Sequence, residues 1–534
     1  MKTQTSAIIP LIHRVSKMRN RVLYDYIVVV FLMLFVVMLS FFFFSGQSLR
    51  LDEAQSLWQT SHTPERILEI VAQDVHVPLY HMLLHFWQLI FGNDVVFGRA
   101  FSMIFFALSI PSMYMLGKEI YGRGIGLFTA ILVAVSPFLN WYGNEIRMYS
   151  LLTFFVILNQ YFFLRIYRRP FKGAWLLWGL TAVLGFYTHY FFWFVIISQS
   201  IYFFLHRSLF PHRSFRKFTG YVVVFVLAFA PWAYYVYSLG GAENSRPLLQ
   251  MPTTINLFNT FSQFMFGFQG DKLNTILVSL WPLAVLLAVL AIQKNKRMAP
   301  ETLYCLISLL VPITLVFVVS ILVQPFFVTR YLIITVPALY LVLGWILYTY
   351  PKILRRIVQV GLLVIMLSGV AVQAVGEDVP VKENYREASA YLERRASPQD
   401  IVILSAPFTI YPFEYYYAGS ADVNTLPIWN RNAVGPIPPF SSEKLPIEVE
   451  KLRARHQVAW LLLSYDQGYE ADVKLYFDTH FHRLDQQNFS PGLNLYAYKL
   501  RYDNPDVEAL INAHASAGSS TETGEISPSE SSTE

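Results

Sequence analysis

The 534-residue chain reads as a polytopic α-helical membrane protein with a small α/β domain near its C-terminal end. Three observations predict this. The composition is 55% hydrophobic and only 14% charged, with a mean hydropathy of +0.42, more apolar surface than a soluble chain needs. The apolar residues gather in runs long enough to cross a bilayer, separated by short basic or aromatic links. Past residue 375 the runs stop, and short helical and strand patterns alternate instead.

In chain order, residues 1–21 form a basic N-terminus containing Lys2, Arg14, Lys17, Arg19 and Arg21. The apolar run that follows has no small-residue cleavage site, so it reads as a retained first span rather than a signal peptide. The expected spans are 22–44, 98–116, 123–138, 149–164, 174–190, 191–205, 219–238, 275–292, 302–323, 330–349 and 357–375. Started inside, these place in the cytoplasm the links that carry Lys118, Arg123, Arg165, Arg168, Arg169, Lys172, Arg207, Arg213, Arg216, Lys217, Lys294, Lys296, Arg297, Lys352, Arg355 and Arg356. The opposite links hold only Arg50, Arg66, Arg99, Arg147, Arg246, Lys272 and Arg330. This asymmetry sets the orientation by the positive-inside rule.

The segment 76–92, HVPLYHMLLHFWQLIFG, is apolar but short for a span and contains three histidines. Counting it as a span would move every later basic link outside. It is expected as a helix lying on the outer face, with Pro78 in its first turn, inside a long helical outer loop over 45–97. The membrane domain is thus 22–375. Residues 376–502 form the α/β domain, with helices over 383–396, 411–419 and 470–481 and strands over 400–406, 456–464, 482–487 and 493–500. The Ser/Thr/Glu-rich tail 503–534 is expected to be disordered.

The net charge of +6 follows from topology and does not point to nucleic acid. The single cysteine, Cys305, lies in an apolar run and excludes an intramolecular disulfide. No cofactor is called for, and no metal-ligand spacing is evident. His76, His81 and His85 follow one another at four- to five-residue spacing and read as core or interfacial histidines rather than ligands.

The chemistry-bearing residues collect on the outer face: the adjacent acids Asp52 and Glu53 after the first span, His76, Glu145, Arg147, Tyr149, His189, Tyr190, Arg330 and Tyr331. The cores of the spans carry no charged residue away from their ends. A one-sided cluster suits an enzyme that works at the membrane surface, whereas a transporter more often holds ionisable groups near mid-depth. Each member also has a simpler reading. The acids fit the first turn of a juxtamembrane helix, the arginines fit interfacial anchors, Glu145 fits a partner for Arg147, and the tyrosines fit the aromatic belt. The coincidence of acids and arginines on one face favours the functional reading.

Four segments occur in a recognisable order: the Asp52–Glu53 pair, HVPLY at 76–80, NEIRMYSLL at 144–152 and TRYLIITVPALY at 329–340. Together they resemble the GT-C superfamily of integral-membrane glycosyltransferases, close to the protein O-mannosyltransferase and aminoarabinose-transferase branch. Val77 and the Asn144–Glu145–Ile146 stretch depart from the usual pattern. The resemblance implies transfer of a sugar from a polyprenyl-phosphate-linked donor to a glycan, lipid or protein hydroxyl, at the extracytoplasmic face of the inner (plasma) membrane. It implies Asp52 as general base, with Glu53 orienting Asp52 or the acceptor. Arg330 and Arg147, with Tyr331 and Tyr149, are implied as donor-phosphate residues, supported by His189, His76 and Glu145. A single displacement would invert the anomeric centre. The alternative is a lipid or polysaccharide flippase or exporter without transfer chemistry; the lack of inverted repeats and of mid-depth charge weighs against it.

Overall fold

The computed structural model describes residues 5–43, 46–240, 249–279, 281–294, 298–375, 383–432 and 437–501. Lys2, Arg246, Lys296, Arg297 and the expected disordered tail 503–534 lie outside the described residues. The chain divides into two compact units. One comprises residues 1–47 and 56–380, the other residues 48–55 and 381–534.

The first unit is all helical. Its first part runs α1 (Thr5–Phe43), α2 (Leu51–Thr60, of which residues 56–60 belong here), α3 (Pro64–Gln73), α4 (Pro78–Phe91), α5 (Val95–Tyr121), α6 (Arg123–Val135), α7 (Pro137–Gly143), α8 (Tyr149–Arg168), α9 (Ala174–Phe186), α10 (Phe192–Leu205) and α11 (Ser214–Ser238). Among the described residues, seven helices are long and apolar enough to cross a membrane, and α6 with α7 makes an eighth candidate, bent by 58°. Ser136 and Pro137 set that bend: the Ser136 hydroxyl caps α7 by accepting the Leu139 N–H at 3.0 Å, and Pro137 occupies its first position. Shorter apolar helices fill the expected runs near 174–190, 191–205 and 275–292. The polytopic reading therefore holds.

The segment after residue 76 is a 14-residue helix, α4, with Val77 as N-cap and Pro78 opening its first turn. It is too short to span a bilayer. The runs expected over 174–190 and 191–205 are separated by a turn at Tyr187–Phe191, whose backbone bonds back to α9: the N–H groups of Thr188 and His189 both donate to the Gly185 carbonyl at 3.0 Å.

Ion pairs gather at the ends of several helices in this unit. Arg123 donates to buried Asp25 at 2.7 Å, and Tyr114 donates to the same carboxylate at 2.5 Å. Glu119, 8% exposed, lies 3.4 Å from Arg168 and 3.7 Å from Arg169, and Arg168 also pairs with Glu301. Charges in a membrane protein are tolerated when paired in this way.

The second unit holds a five-stranded sheet in the order β2 (Asp422–Leu426), β1 (Ile401–Ser405), β3 (Val458–Leu463), β5 (Leu493–Lys499), β4 (His482–Ser490). The β2, β1 and β3 neighbours are parallel; β5 is antiparallel to both β3 and β4. All five residues of β1 are buried, the pattern of a strand covered on both faces. Ile403, Leu461, Val449 and Phe477 share one core of this unit. The expected α/β alternation is present, with two additions: strand β2 and the helix Leu445–Arg453. Asp422 and Asn424 are poor strand formers, and β2 is buried only at its last two residues.

Candidate active site

In the first unit the site is built around the link between α7 and α8. Arg147 sits in this link, 3% exposed, and its N–H donates to the Glu145 carbonyl at 2.7 Å. Its guanidinium reaches two partners. Nη1 donates to the Ser56 hydroxyl at 3.2 Å, and Nη2 lies 2.6 Å from His76 Nε2. Arginine only donates, so His76 Nε2 must accept, and the ring is neutral with its proton on Nδ1.

His76 is fixed from both sides. Its carbonyl accepts from the Tyr190 hydroxyl at 3.1 Å, and Tyr190 in turn accepts from Trp232 Nε1 at 3.2 Å. The next turn is tied down by the Leu79 N–H, which donates to the Tyr187 carbonyl at 2.9 Å. The turn between α9 and α10 thus clamps the start of α4. Asp74, which ends α3, lies 3.8 Å from His76 Nε2 and accepts from Gln59 Nε2 at 3.0 Å.

His81 stacks on His76 at 5.7 Å between ring centres. Burial, reinforced by the Arg147 charge and opposed by Asp74, pushes His81 down to about 3; it is a neutral ring at any physiological pH. His85 is engaged elsewhere, with Nδ1 2.9 Å from the Thr60 carbonyl. Among the described residues no three His, Cys, Asp or Glu side chains are grouped as a metal set.

A second arginine borders the same region. Arg330 lies in a 3₁₀ turn over Thr329–Thr335 and sits 5.7 Å from the Tyr331 ring. The Tyr331 ring is 5.1 Å from His189, and His189 is 6.2 Å from Tyr149, the first residue of α8. His189 is buried. Its Nδ1 accepts the Phe191 N–H at 3.1 Å, which leaves Nε2 as the ring's donor. Glu145 and Tyr149 are both buried. The structure therefore brings together Arg147, His76, Tyr149, His189, Arg330 and Tyr331 within one unit. Tyr190 stands beside His189 in the cluster that the sequence pointed to; Ser56, Asp74 and Trp232 were missed, and none of them carries a distinguishing signal in the sequence.

Asp52 and Glu53 belong to the second unit. Both lie in the first turn of α2. Glu53 is fully buried, and one of its oxygens accepts the Arg50 N–H at 3.0 Å, the reach-back half of a capping box. Asp52 is half-buried.

The fold is that of the GT-C class of integral-membrane glycosyltransferases. Residues 75–235 match the family described as dolichyl-phosphate-mannose-protein mannosyltransferase. The chain is similar to ArnT from Cupriavidus metallidurans in the apo state, with a TM-score of 0.60 and 11% identity over 91% of this chain and 98% of that one. Against the same enzyme bound to undecaprenyl phosphate the TM-score is 0.57, at 12% identity over 89% and 98%. The oligosaccharyltransferase AglB from Archaeoglobus fulgidus, in complex with an inhibitory peptide and a dolichol-phosphate, gives a TM-score of 0.50 and 11% identity over 90% and 75%. No curated protein sequence matches the chain.

Proposed function

We propose that the protein is a glycosyltransferase that moves a sugar from a polyprenyl-phosphate carrier to a hydroxyl acceptor at the extracytoplasmic face of the inner membrane. The observation that carries this reading is the gathering of two arginines in one region of a GT-C fold: Arg147 is buried beside His76, and Arg330 lies 5.7 Å from the Tyr331 ring, which is 5.1 Å from His189. Two fixed cations beside hydrogen-bond donors suit a departing phosphate, because arginine matches phosphate oxygens and keeps its charge. The undecaprenyl phosphate and dolichol-phosphate held by the similar structures support the donor class.

In this reading Asp52 takes the proton of the acceptor hydroxyl while its oxygen bonds to C1 of the sugar. The C1–oxygen bond to the carrier breaks in the same step, and its electron pair leaves on the lipid phosphate. One displacement inverts the anomeric centre. Arg147 and Arg330 take up the developing phosphate charge, with Tyr149, Tyr331 and His189 Nε2 as donors. His76 holds Arg147, and Glu145 supports its loop. Glu53 shapes the first turn of α2 and orients Asp52. The domain limits of 22–375 and 376–502 follow from the same reading, with residues 48–55 as the segment that carries the acids.

Mass spectrometry of envelope glycans and glycolipids in a deletion strain tests the proposal. One class of product is expected to lose a sugar, restored by the wild-type gene and not by Asp52→Asn expressed at equal level. Restoration by Asp52→Asn would favour an exporter.

A further inference from the structure

The membrane unit places a carboxylate, Asp74, beside the Arg147–His76 pair. Asp74 ends α3, its N–H donating to the Val71 carbonyl at 3.2 Å. Its Oδ1 accepts the Val75 N–H at 2.7 Å, and its Oδ2 accepts Gln59 Nε2 at 3.0 Å. The same Oδ2 lies 3.8 Å from His76 Nε2, the nitrogen that accepts from Arg147 Nη2. The ground under Asp74 is packed: Ile67, Val71 and Ala72 of α3 share one buried cluster with Val77 and Trp232, and Gln59 is buried. The Asp74 side chain nevertheless stays 21% exposed, whereas His76 and Arg147 are buried. Asp74 is thus the open edge of the pair.

Local structure does not ask for an acid at this position. A carboxylate at a helix C-terminus meets the negative end of the macrodipole, where cations are favoured. An asparagine side-chain oxygen would accept the Val75 and Gln59 hydrogen bonds without that cost. Neither bond requires the negative charge, which stands at the accessible edge of a buried arginine.

We propose that Asp74 receives a hydroxyl of the transferred sugar, close to C1, and so reads the sugar of the donor while Arg147 holds its phosphate. This deepens the glycosyltransferase reading and rests on it. A carboxylate repels phosphate and only accepts hydrogen bonds, so the ligand group that meets Asp74 must be a donor. The sugar supplies one, because its C1 is bonded to a phosphate oxygen and its hydroxyls lie within a few bonds of that phosphate. As positive charge builds on the sugar ring, a hydroxyl near C1 becomes a stronger donor. Its bond to a carboxylate therefore tightens in the transition state, as such bonds do in glycoside hydrolysis.

The test separates the sugar from its carrier. Undecaprenyl phosphate has the phosphate without a sugar, and its binding to the purified protein is read as a rise in thermal unfolding temperature. Transfer is read in membranes of the deletion strain, as product per copy of protein by mass spectrometry. Asp74→Ala is expected to slow transfer by about tenfold to a hundredfold. It should keep or enlarge the temperature rise, because an anion beside the phosphate has gone. Asp74→Asn keeps the shape and an acceptor but not the charge. It should slow transfer by about threefold to tenfold with the rise intact, and it carries the test if Asp74→Ala does not fold. Arg147→Ala should lose the rise. Loss of the rise in the Asp74 variants would make the residue a mere support for Arg147 and overturn the proposal, as would transfer at the wild-type rate. No rise in the wild-type protein would instead overturn the carrier reading on which the proposal rests.

Discussion

Arg147 Nη2 and His76 Nε2 lie 2.6 Å apart, both buried, and come from links separated by four helices of the membrane unit, α4 to α7. The pair joins the NEIRMYSLL and HVPLY segments in one contact. It also forces His76 to stay neutral, since a second N–H on Nε2 would face the guanidinium. Arg147→Ala is expected to lower transfer at least a hundredfold by removing a preorganised cation, and Arg147→Lys to restore only part. His76→Ala should weaken transfer less, about tenfold, because the cation remains but loses its hold. Initial rates in membranes check the order; equal effects of the two alanine variants would contradict it.

Arg330 meets the site from a 3₁₀ turn rather than a regular helix. Arg330→Ala is expected to raise the donor requirement strongly, and Arg330→Lys to recover it in part, since lysine lacks the bidentate fork. Unchanged donor dependence in Arg330→Ala would reduce the residue to an interfacial anchor.

The two adjacent acids are expected to separate by assay. Asp52→Asn should abolish transfer with normal thermal stability. Glu53→Ala should lower stability by about 1 kcal/mol, because the Arg50 N–H at the start of α2 loses its acceptor. Thermal unfolding of the purified variants separates these outcomes. A stability loss confined to Asp52→Asn would reverse the roles.

His81 makes stability depend on pH. Its pKa is lowered from 6.5 to about 3 in the folded chain. Between those values the unfolded chain binds a proton that the folded ring does not, so stability rises with pH across this window and is lost as pH falls. His81→Phe keeps a ring against His76 but removes the titration. The variant is expected to unfold less readily than wild type at pH 5 relative to pH 7.5, as thermal unfolding at the two pH values would show. An identical pH dependence would refute this account.

Orientation is testable by thiol labelling in a Cys305→Ser host, because Cys305 is buried and free. Asn93→Cys and Gln399→Cys are exposed positions expected to react with an impermeant reagent in spheroplasts. Lys172→Cys and His212→Cys, equally exposed, should react only after lysis. Labelling of Asn93→Cys and His212→Cys from the same face would break the span count.

What the sequence showed depended on how far apart the determining contacts lie. The spans and the short helix α4 were legible because hydropathy, length and Pro78 are local. The arginines were legible because charge is rare in such a chain. Strand β2 was not, since its Asp422 and Asn424 oppose strand formation and only its pairing with β1 makes it one. Ser56 and Asp74 are ordinary residues in sequence; they matter through contacts with Arg147 and His76 that only the folded bundle creates. The attachment of residues 48–55 to the C-terminal unit is of the same kind: nothing between Ser48 and Gln55 specifies Tyr416 as a neighbour.

The pairing of Arg168 with both Glu119 and Glu301 bears on how the chain is built. Glu119 and Arg168 close α5 and α8 and emerge early in synthesis, whereas Glu301 opens a helix, Pro300–Leu322, that is made much later. Until that helix arrives, Arg168 has one of its two carboxylates, and the nascent bundle carries an uneven charge at its edge. Glu301 supplies the second carboxylate when that helix is in place, so one guanidinium joins segments made far apart in translation.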